Sequence, residues 1–435
     1  MAEAAVIRAV GFYGPVVAVM AVAAVTRPGR RQAGAALLAG LWNFCALLAV
    51  NIVAERTGWW TFGTTGGELA GVPADLVLGW ALLWGVLPAL LSVRVPAFAV
   101  VAGLLWADLL LMPLGRPVIV LAEDWLAGEV LAMAAALVPG LVLARLTIRR
   151  RLLAARVAMQ FVLFSALAGG VATVGVLGAT GGTANHLDTG NPLVTLALQA
   201  VVVLAVPALA AMGEFARRGG GTPFPYDPPA RLVTTGPYAY VANPMQLSMT
   251  VVLLAWGALL GSWGIVGLAV AGAAFAAGIA GWHESLELEE RHGDEWRAYR
   301  AHVAVWRPRV RPWAGAGAPA ALYVAPGCDP CQGVGRWLSQ RRPAGLTIRP
   351  ATEAPRPLTR LRYRGPDGHE ASGVAAFARA LEHLHVGWAM VAWLLLLPGV
   401  GWFVQLVVDA AGGGPLAEPI GGNVLKRAHQ VVDNR

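Results

Sequence analysis

Runs of about 20 mostly apolar residues, each long enough to cross a bilayer as a helix, recur along most of this 435-residue chain. They lie near 6–26, 34–54, 74–93, 96–114, 126–147, 156–179, 192–213, 245–260 and 264–282. Inside hydrocarbon every backbone N–H and C=O must find a partner within the chain, so continuous apolar runs of this length are helices. Composition agrees: the chain is 57% hydrophobic and 13% charged, against about 25% charged in a soluble protein. So little charge cannot cover a soluble surface of this size, and a soluble enzyme is excluded. The 53 glycines follow no triplet period, which excludes a collagen-like chain.

The net charge of +8 comes almost entirely from arginine. Arginines collect in cytoplasmic loops, so the clusters orient the chain. Arg27, Arg30 and Arg31 follow the first run, Arg149, Arg150 and Arg151 the fifth, and Arg217, Arg218 and Arg231 the seventh. With the N-terminus outside, all three clusters fall inside, and the poorly charged loops 55–73 and 180–190 fall outside. Arg8 is the only early positive charge, and the first run is read as a retained helix. Glu123, Asp124 and Glu129 crowd the start of the fifth run, as an interfacial turn would. No basic stripe with interleaved aromatics is present, so nucleic acid is not an expected partner. The three cysteines, Cys45, Cys328 and Cys331, make no disulfide framework and suit a reducing compartment.

Between His283 and Leu384 the sequence turns polar and arginine-rich, with no run long enough to span. A last apolar stretch, Val386 to Val408, is broken by Pro398 and Gly399 and reads either as one span or as two short interfacial helices.

The densest polar information lies between Gly219 and Pro244, a loop whose prolines and glycines force turns. Forty residues, room for two crossings at about 20 each, separate Pro244 from Glu284. The loop and the acidic helix that starts near Glu284 are therefore expected on the same, cytoplasmic, face, able to build one site. Glu287, Glu289 and Glu290 read as a solvated face paired with Arg291 and Arg297, and His283 and His292 as packing or interfacial residues.

The run GPYAYVANPMQL, the hairpin, the acidic helix and then HGDEWRAYRAHVAVWRPR resemble the isoprenylcysteine carboxyl methyltransferase and phospholipid methyltransferase superfamily over about residues 156–313. That resemblance implies an S-adenosylmethionine cofactor held near the cytoplasmic face. Gly236, Pro237, Tyr238, Tyr240, Asn243 and Pro244 match the family's loop, and Glu284, Leu288, Gly293, Trp296 and Tyr299 match its acidic helix. Ala242 stands where the family usually has arginine, Gln246 replaces a tyrosine, Ser285 an acid and His292 a phenylalanine. A carboxylate such as Glu284 suits the cofactor's ammonium, and Tyr238 and Tyr240 could offer ring faces to its sulfonium, each for about 0.5–2 kcal/mol.

A second module follows. An apolar strand-like run, Ala321–Ala325, leads through a Pro-Gly turn to Cys328-Asp-Pro-Cys331 and a helix. Cys328 at a helix N-terminus would have a lowered thiol pKa. LTIRPA, the Arg360–Arg364 run, the Gly365–Gly368 turn and a helix from Ser372 complete a βαβ–β–α order that resembles a thioredoxin-like fold, and more closely the DCC-type thiol-disulfide oxidoreductases, over about 319–384 and on to 412 with the trailing helices. Cys328 and Cys331 are the candidate catalytic pair, and Pro357 is a candidate cis-proline beside them. Two cysteines are also half a zinc site, but only His369, His383 and His385 lie nearby and four ligands are needed; no metal is expected.

The first spans carry Trp42, Asn43, Asn51, Glu55, Asp75 and Asp108. Asp108 either lines an acceptor cavity or caps a helix end.

The expected protein is thus mainly α, a polytopic transmembrane helical bundle of about nine or ten spans with a small α/β thioredoxin-like cytoplasmic domain near the C-terminus. The expected parts are 1–155, a bundle of unassigned role; 156–314, methyltransferase-like; 319–384, thioredoxin-like; and 385–435, a membrane-associated segment and tail. The expected activity is S-adenosylmethionine-dependent methyl transfer, in a bacterial cytoplasmic membrane, to a lipophilic, thiol or carboxylate acceptor from the bilayer. The dithiol module would serve a thiol redox partner. The alternative is a membrane thiol-disulfide oxidoreductase with a non-catalytic helical scaffold.

Overall fold

A computed structural model describes residues 2–63, 66–180, 187–224, 226–315, 317–326, 329–417 and 419–420. Among them, eight helices are long and apolar enough to cross a membrane: α1 (Ala2–Thr26), α2 (Arg30–Thr57), α3 (Ala74–Leu91), α4 (Ala97–Gly115), α5 (Trp125–Arg149), α6 (Leu153–Thr180), α7 (Pro192–Gly219) and α9 (Trp263–His302). Between the last two lies α8 (Pro244–Leu259), which has only 16 residues. At 1.5 Å per residue it reaches about 24 Å, short of the roughly 30 Å hydrocarbon layer. The run at 245–260 is therefore helical as expected but below full spanning length. The smaller helices α10 (Asp329–Gln340), α11 (Val374–Leu381), α12 (Val386–Leu395) and α13 (Pro398–Gly413) follow. The last two meet at a bend of 88°. Pro398 cannot continue the preceding helix, which decides for two short helices over one straight span.

The chain divides into two compact units. The first comprises Met1–Leu187, Gly220–Ala230 and Gly257–Val266. At its centre α2 presents Ala35, Ala36, Leu38, Ala39 and Gly40, all buried. Small residues let helix backbones approach closely where no hydrophobic force drives helices together. A Cβ on Gly85 of α3 would stand 2.5 Å from the Ala39 carbonyl oxygen and 2.7 Å from the Gly40 Cα. The polar side chains of α2 are satisfied locally: Asn43 Nδ2 donates to Ala39 O at 2.9 Å and Asn51 Nδ2 to Leu47 O at 2.8 Å. Arg8 of α1 pairs with Asp75 of α3 at 2.8 Å. Two short antiparallel ribbons join the helices: β1 (Trp60–Phe62) with β4 (Ile119–Leu121), and β2 (Glu68–Leu69) with β3 (Val72–Pro73). The first half of the long Pro/Gly loop belongs here too. Phe224 packs with Leu38, Leu143 and Leu163, and the buried Asp227 pairs with the buried Arg156.

The second unit comprises Asp188–Gly219, Arg231–Trp256 and Gly267–Arg435. Its four-stranded sheet has the order β6 (Leu346–Pro350), β5 (Ala320–Val324), β7 (Arg362–Arg364), β8 (Glu370–Ser372). β5 and β6 are parallel; β7 is antiparallel to both β5 and β8. α10 makes the crossover between the parallel pair, and α11 follows β8. Ala320, Leu322, Leu338, Ala376, Ala378 and Leu381 fill the core. Among the described residues the cis peptide bond is Arg116–Pro117. Pro357 is therefore trans, which corrects the cis-proline expected there.

Placing valine at Gly85 should force α2 and α3 apart. Overpacking of this kind costs about 1–3 kcal/mol, and thermal unfolding of the Gly85→Val protein in detergent measures it.

Candidate functional site

The site begins at the end of α7. Asn191 caps the start of this helix, accepting from the Leu193 N–H at 2.9 Å. Near the other end Glu214, 1% exposed, meets three partners. Thr235 Oγ1 donates to it at 2.6 Å, Arg218 pairs with it at 2.8 Å from one turn on, and Arg379 of α11 donates at 2.8 Å. Arg379 is itself buried and donates its other nitrogen to Glu382 at 2.9 Å. Arg218 also pairs with Asp367 in the β7–β8 turn. Ions this deep lose several kcal/mol of solvation each and persist only when paired and hydrogen-bonded. Burial keeps the Glu382 carboxyl above its ordinary range, although the Arg379 charge pulls the other way.

The loop sits on this cluster. Gly236 has φ +60°, and a Cβ there would lie 3.2 Å from Glu214 Cγ and 3.3 Å from Cδ. Only glycine meets both demands without strain. Pro237 then opens a short 3-10 turn, Gly236–Ala239, where its fixed φ suits the first position and no donor is lost. The loop strand is pinned by the chain that follows α9. Ala242 N–H donates to Ala304 O at 2.9 Å, Arg309 N–H to Tyr240 O at 2.9 Å and Trp313 N–H to Ala239 O at 2.8 Å.

The candidate residues separate into two groups. Tyr240 is 1% exposed; its hydroxyl donates to the Glu382 carbonyl at 2.8 Å and its ring stands edge-on to Trp393 at 5.6 Å. It anchors the loop. Trp296 and Tyr299 are buried with Leu288, Val303 and Trp313, and Tyr299 Oη donates to Tyr238 O at 2.7 Å. They hold the loop from behind. Gly236 and Pro237 shape its turn, and Pro244 starts α8. Asn243, Tyr238 and Glu284 remain as the group with chemistry to offer. The Asn243 amide donates to Gln246 Oε1 at 3.1 Å and lies close enough to the Glu284 carboxylate on α9 to stabilise its charge. Tyr238 is buried, its ring beside Phe215 at 6.1 Å, and its hydroxyl has no hydrogen-bond partner. Burial, with the Tyr299 phenol and the Glu284 and Glu214 carboxylates nearby, raises its pKa well above 10, so it is a neutral donor. Loop and acidic helix thus meet, as the forty-residue spacing requires.

On the exposed face of α9, Glu287 pairs with Arg291 at 2.8 Å and Glu289 with Arg297 at 3.1 Å. Cys331 is half-buried on α10 and disulfide-bonded; Cys328 lies outside the described residues. The buried charged groups under the loop, Glu214, Arg379 and Glu382, and the half-buried Thr235 that donates to Glu214, were not anticipated. Their signals were present: Glu214 is an acid closing an apolar run, and Arg379 a single arginine in an apolar helix.

Two outcomes follow from this cluster. Arg379→Ala leaves two buried carboxylates without their shared cation and should cost about 3–5 kcal/mol, read by thermal unfolding. His383 is half-buried, with Nδ1 2.7 Å from Ala344 O and Nε2 2.9 Å from Tyr363 Oη. Burial lowers its pKa from 6.5 to about 4. The neutral ring is what the fold holds, so its contribution is complete above pH 6.5 and disappears as pH falls through about 4. That loss is on the order of 3 kcal/mol, and His383→Gln should flatten it in unfolding curves measured across this window.

Comparison with known proteins agrees with the placement. Residues 191–294 match the family model described as phospholipid methyltransferase. The match opens on the cap of α7 and closes one residue past Gly293, where α9 departs from helical geometry at φ 49° and ψ −118°. It covers about a quarter of the chain and includes the loop, α8 and Glu284, with Trp296 and Tyr299 just beyond. No curated protein and no solved structure matches the chain. The match supports a membrane methyltransferase in this stretch.

Proposed function

We propose that this protein is a membrane methyltransferase that binds S-adenosylmethionine between the Tyr238–Asn243 loop and the start of the acidic part of α9, and methylates a lipophilic acceptor from the bilayer. The approach of Asn243 to Glu284 carries this reading, because it joins the two matched segments at a carboxylate. The residues suit the cofactor. Glu284 supplies an anion for its ammonium, and the unpartnered Tyr238 hydroxyl supplies a buried donor for its carboxylate or ribose. When bound, the cofactor supplies an electrophilic methyl on a sulfonium. The chain's share is positional: Asn243 fixes the Glu284 rotamer, Glu214 sets the Gly236 turn, and apolar helices keep water from the reacting groups. Ala242 places no guanidinium in the loop, and its surroundings are Trp296, Tyr299 and Val303. That environment favours an acceptor without a free carboxylate. The sheet β5–β8 with α10 and α11 has the order of a thioredoxin-like unit, and in this reading it is a dithiol module of the DCC type, with Cys328 and Cys331 as its pair, facing the cytoplasm.

Calorimetric titration of the purified protein with S-adenosylmethionine is the test. A charge-assisted hydrogen bond contributes about 1.5–3 kcal/mol, so Glu284→Gln should weaken binding about 10- to 100-fold. Equal affinity in the variant would remove Glu284 from the site. The oxidoreductase alternative rests on the Cys331 disulfide. It gains if Cys328→Ser abolishes all activity while Glu284→Gln changes none.

A further inference from the structure

A second polar site lies in the first unit, inside the bundle. Asp108 on α4 and Glu129 on α5 are hydrogen-bonded to each other through their carboxyl groups. Glu129 is 4% exposed. Each carboxyl group has a buried oxygen that no N–H or hydroxyl donor reaches, Asp108 Oδ2 and Glu129 Oε1. Both residues line a cavity of about 20 Å³, with Trp80 and Trp84 of α3, Trp60 of β1 and Asn51 of α2. Asn51 is spoken for: its Oδ1 accepts from Trp60 Nε1 at 2.9 Å and its Nδ2 serves its own helix. Trp84 is not. It is 3% exposed, and its indole N–H has no acceptor.

Two observations decide what this site holds. Two carboxyl oxygens cannot hydrogen-bond without a proton between them, and two adjacent carboxylates cannot both ionise in an apolar setting. No lysine, arginine or histidine lines the cavity from α2, β1, α3, α4 or α5. The positive charge must therefore come from outside the side chains. A cavity of this size has room for one water, which needs about 10–15 Å³, and the unpaired Trp84 indole N–H belongs to one of the residues that line it.

We propose that Asp108 and Glu129 form a proton-binding site: one proton shared between the carboxyl groups, beside a water-sized cavity lined by the unpaired Trp84 indole. By the arginine clusters, this end of the bundle faces outside. The site owes nothing to the methyl-transfer reading and stands or falls without it.

Infrared spectroscopy of the full-length protein in lipid nanodiscs at neutral pH tests this. The difference between wild type and an Asp108→Asn/Glu129→Gln double variant should contain the C=O stretch of about one protonated carboxylic acid per chain, lost in the variant. In wild type alone, which needs no folded variant, that band should move to lower frequency in D2O and persist in saturating sodium chloride. A wild-type spectrum showing only ionised carboxylates overturns the proposal. So does a band that sodium removes at constant pH, which would assign the pair to a sodium ion.

Discussion

The second unit turns on one buried carboxylate. Glu214 closes α7, and its demand for donors draws together pieces far apart in sequence: Thr235 before the loop and Arg379 from the last helix of the sheet region. A buried ion pair seldom adds net stability over an apolar substitute, but losing one partner is expensive. Its value here is specificity of position. Arg379 joins Glu214 to Glu382, and the Glu382 carbonyl accepts from Tyr240 in the loop. The chain from α7 to α11 to the loop is thus closed by polar contacts that tolerate little sliding. Within this unit the sheet region is a structural support of the loop, whatever its cysteines do.

Helix length completes the arrangement. α8 is 16 residues, whereas α9 runs from Trp263 through a π-helical turn at Ala276–Ala280 to His302. About 20 residues from Trp263 account for a bilayer, so the part beginning near His283 emerges as the acidic segment. Glu284 stands at that boundary, next to Asn243 at the start of α8. A carboxylate there can stay hydrated on one side and meet the loop on the other. The following chain returns past the loop through Ala304 and Trp313 and clamps it.

Much of this was legible because membranes simplify the reading. Apolar runs of fixed length marked the spans, and the forty residues between Pro244 and Glu284 implied that the loop and the acidic helix could meet. Most of the strand and helix order of the C-terminal region was also legible, since turn residues punctuate it, but the three-residue strand β8 (Glu370–Ser372) stands where a helix was expected to begin at Ser372. What escaped was long-range pairing of charge: Glu214 and Arg379 are 165 positions apart, and nothing local to either names the other. Tyr240 escaped for the same reason, because its partners Glu382 and Trp393 belong to the C-terminal helices. A tyrosine in a polar loop looks available until its packing is known. The short ribbons β1–β4 and β2–β3 have two or three residues a strand, too few for a periodic pattern to register.

The two units face one physical problem and meet it differently. Each buries acids among apolar side chains, where an isolated ionised carboxylate is untenable. In the second unit arginines are available at helix ends, Arg218 and Arg379, and the acid stays ionised as part of a fixed scaffold. In the first unit the arginines are elsewhere: Arg8 is committed to Asp75, and Arg156 to Asp227. Among the described residues no basic side chain lines the cavity of Asp108 and Glu129, so the charge proposed for them is mobile. A fixed counter-ion makes a joint, whereas a proton, held between two acids beside an unsatisfied indole, makes a site that can be filled and emptied. The placement of arginines therefore separates a carboxylate that holds the fold from a pair that can exchange its ligand.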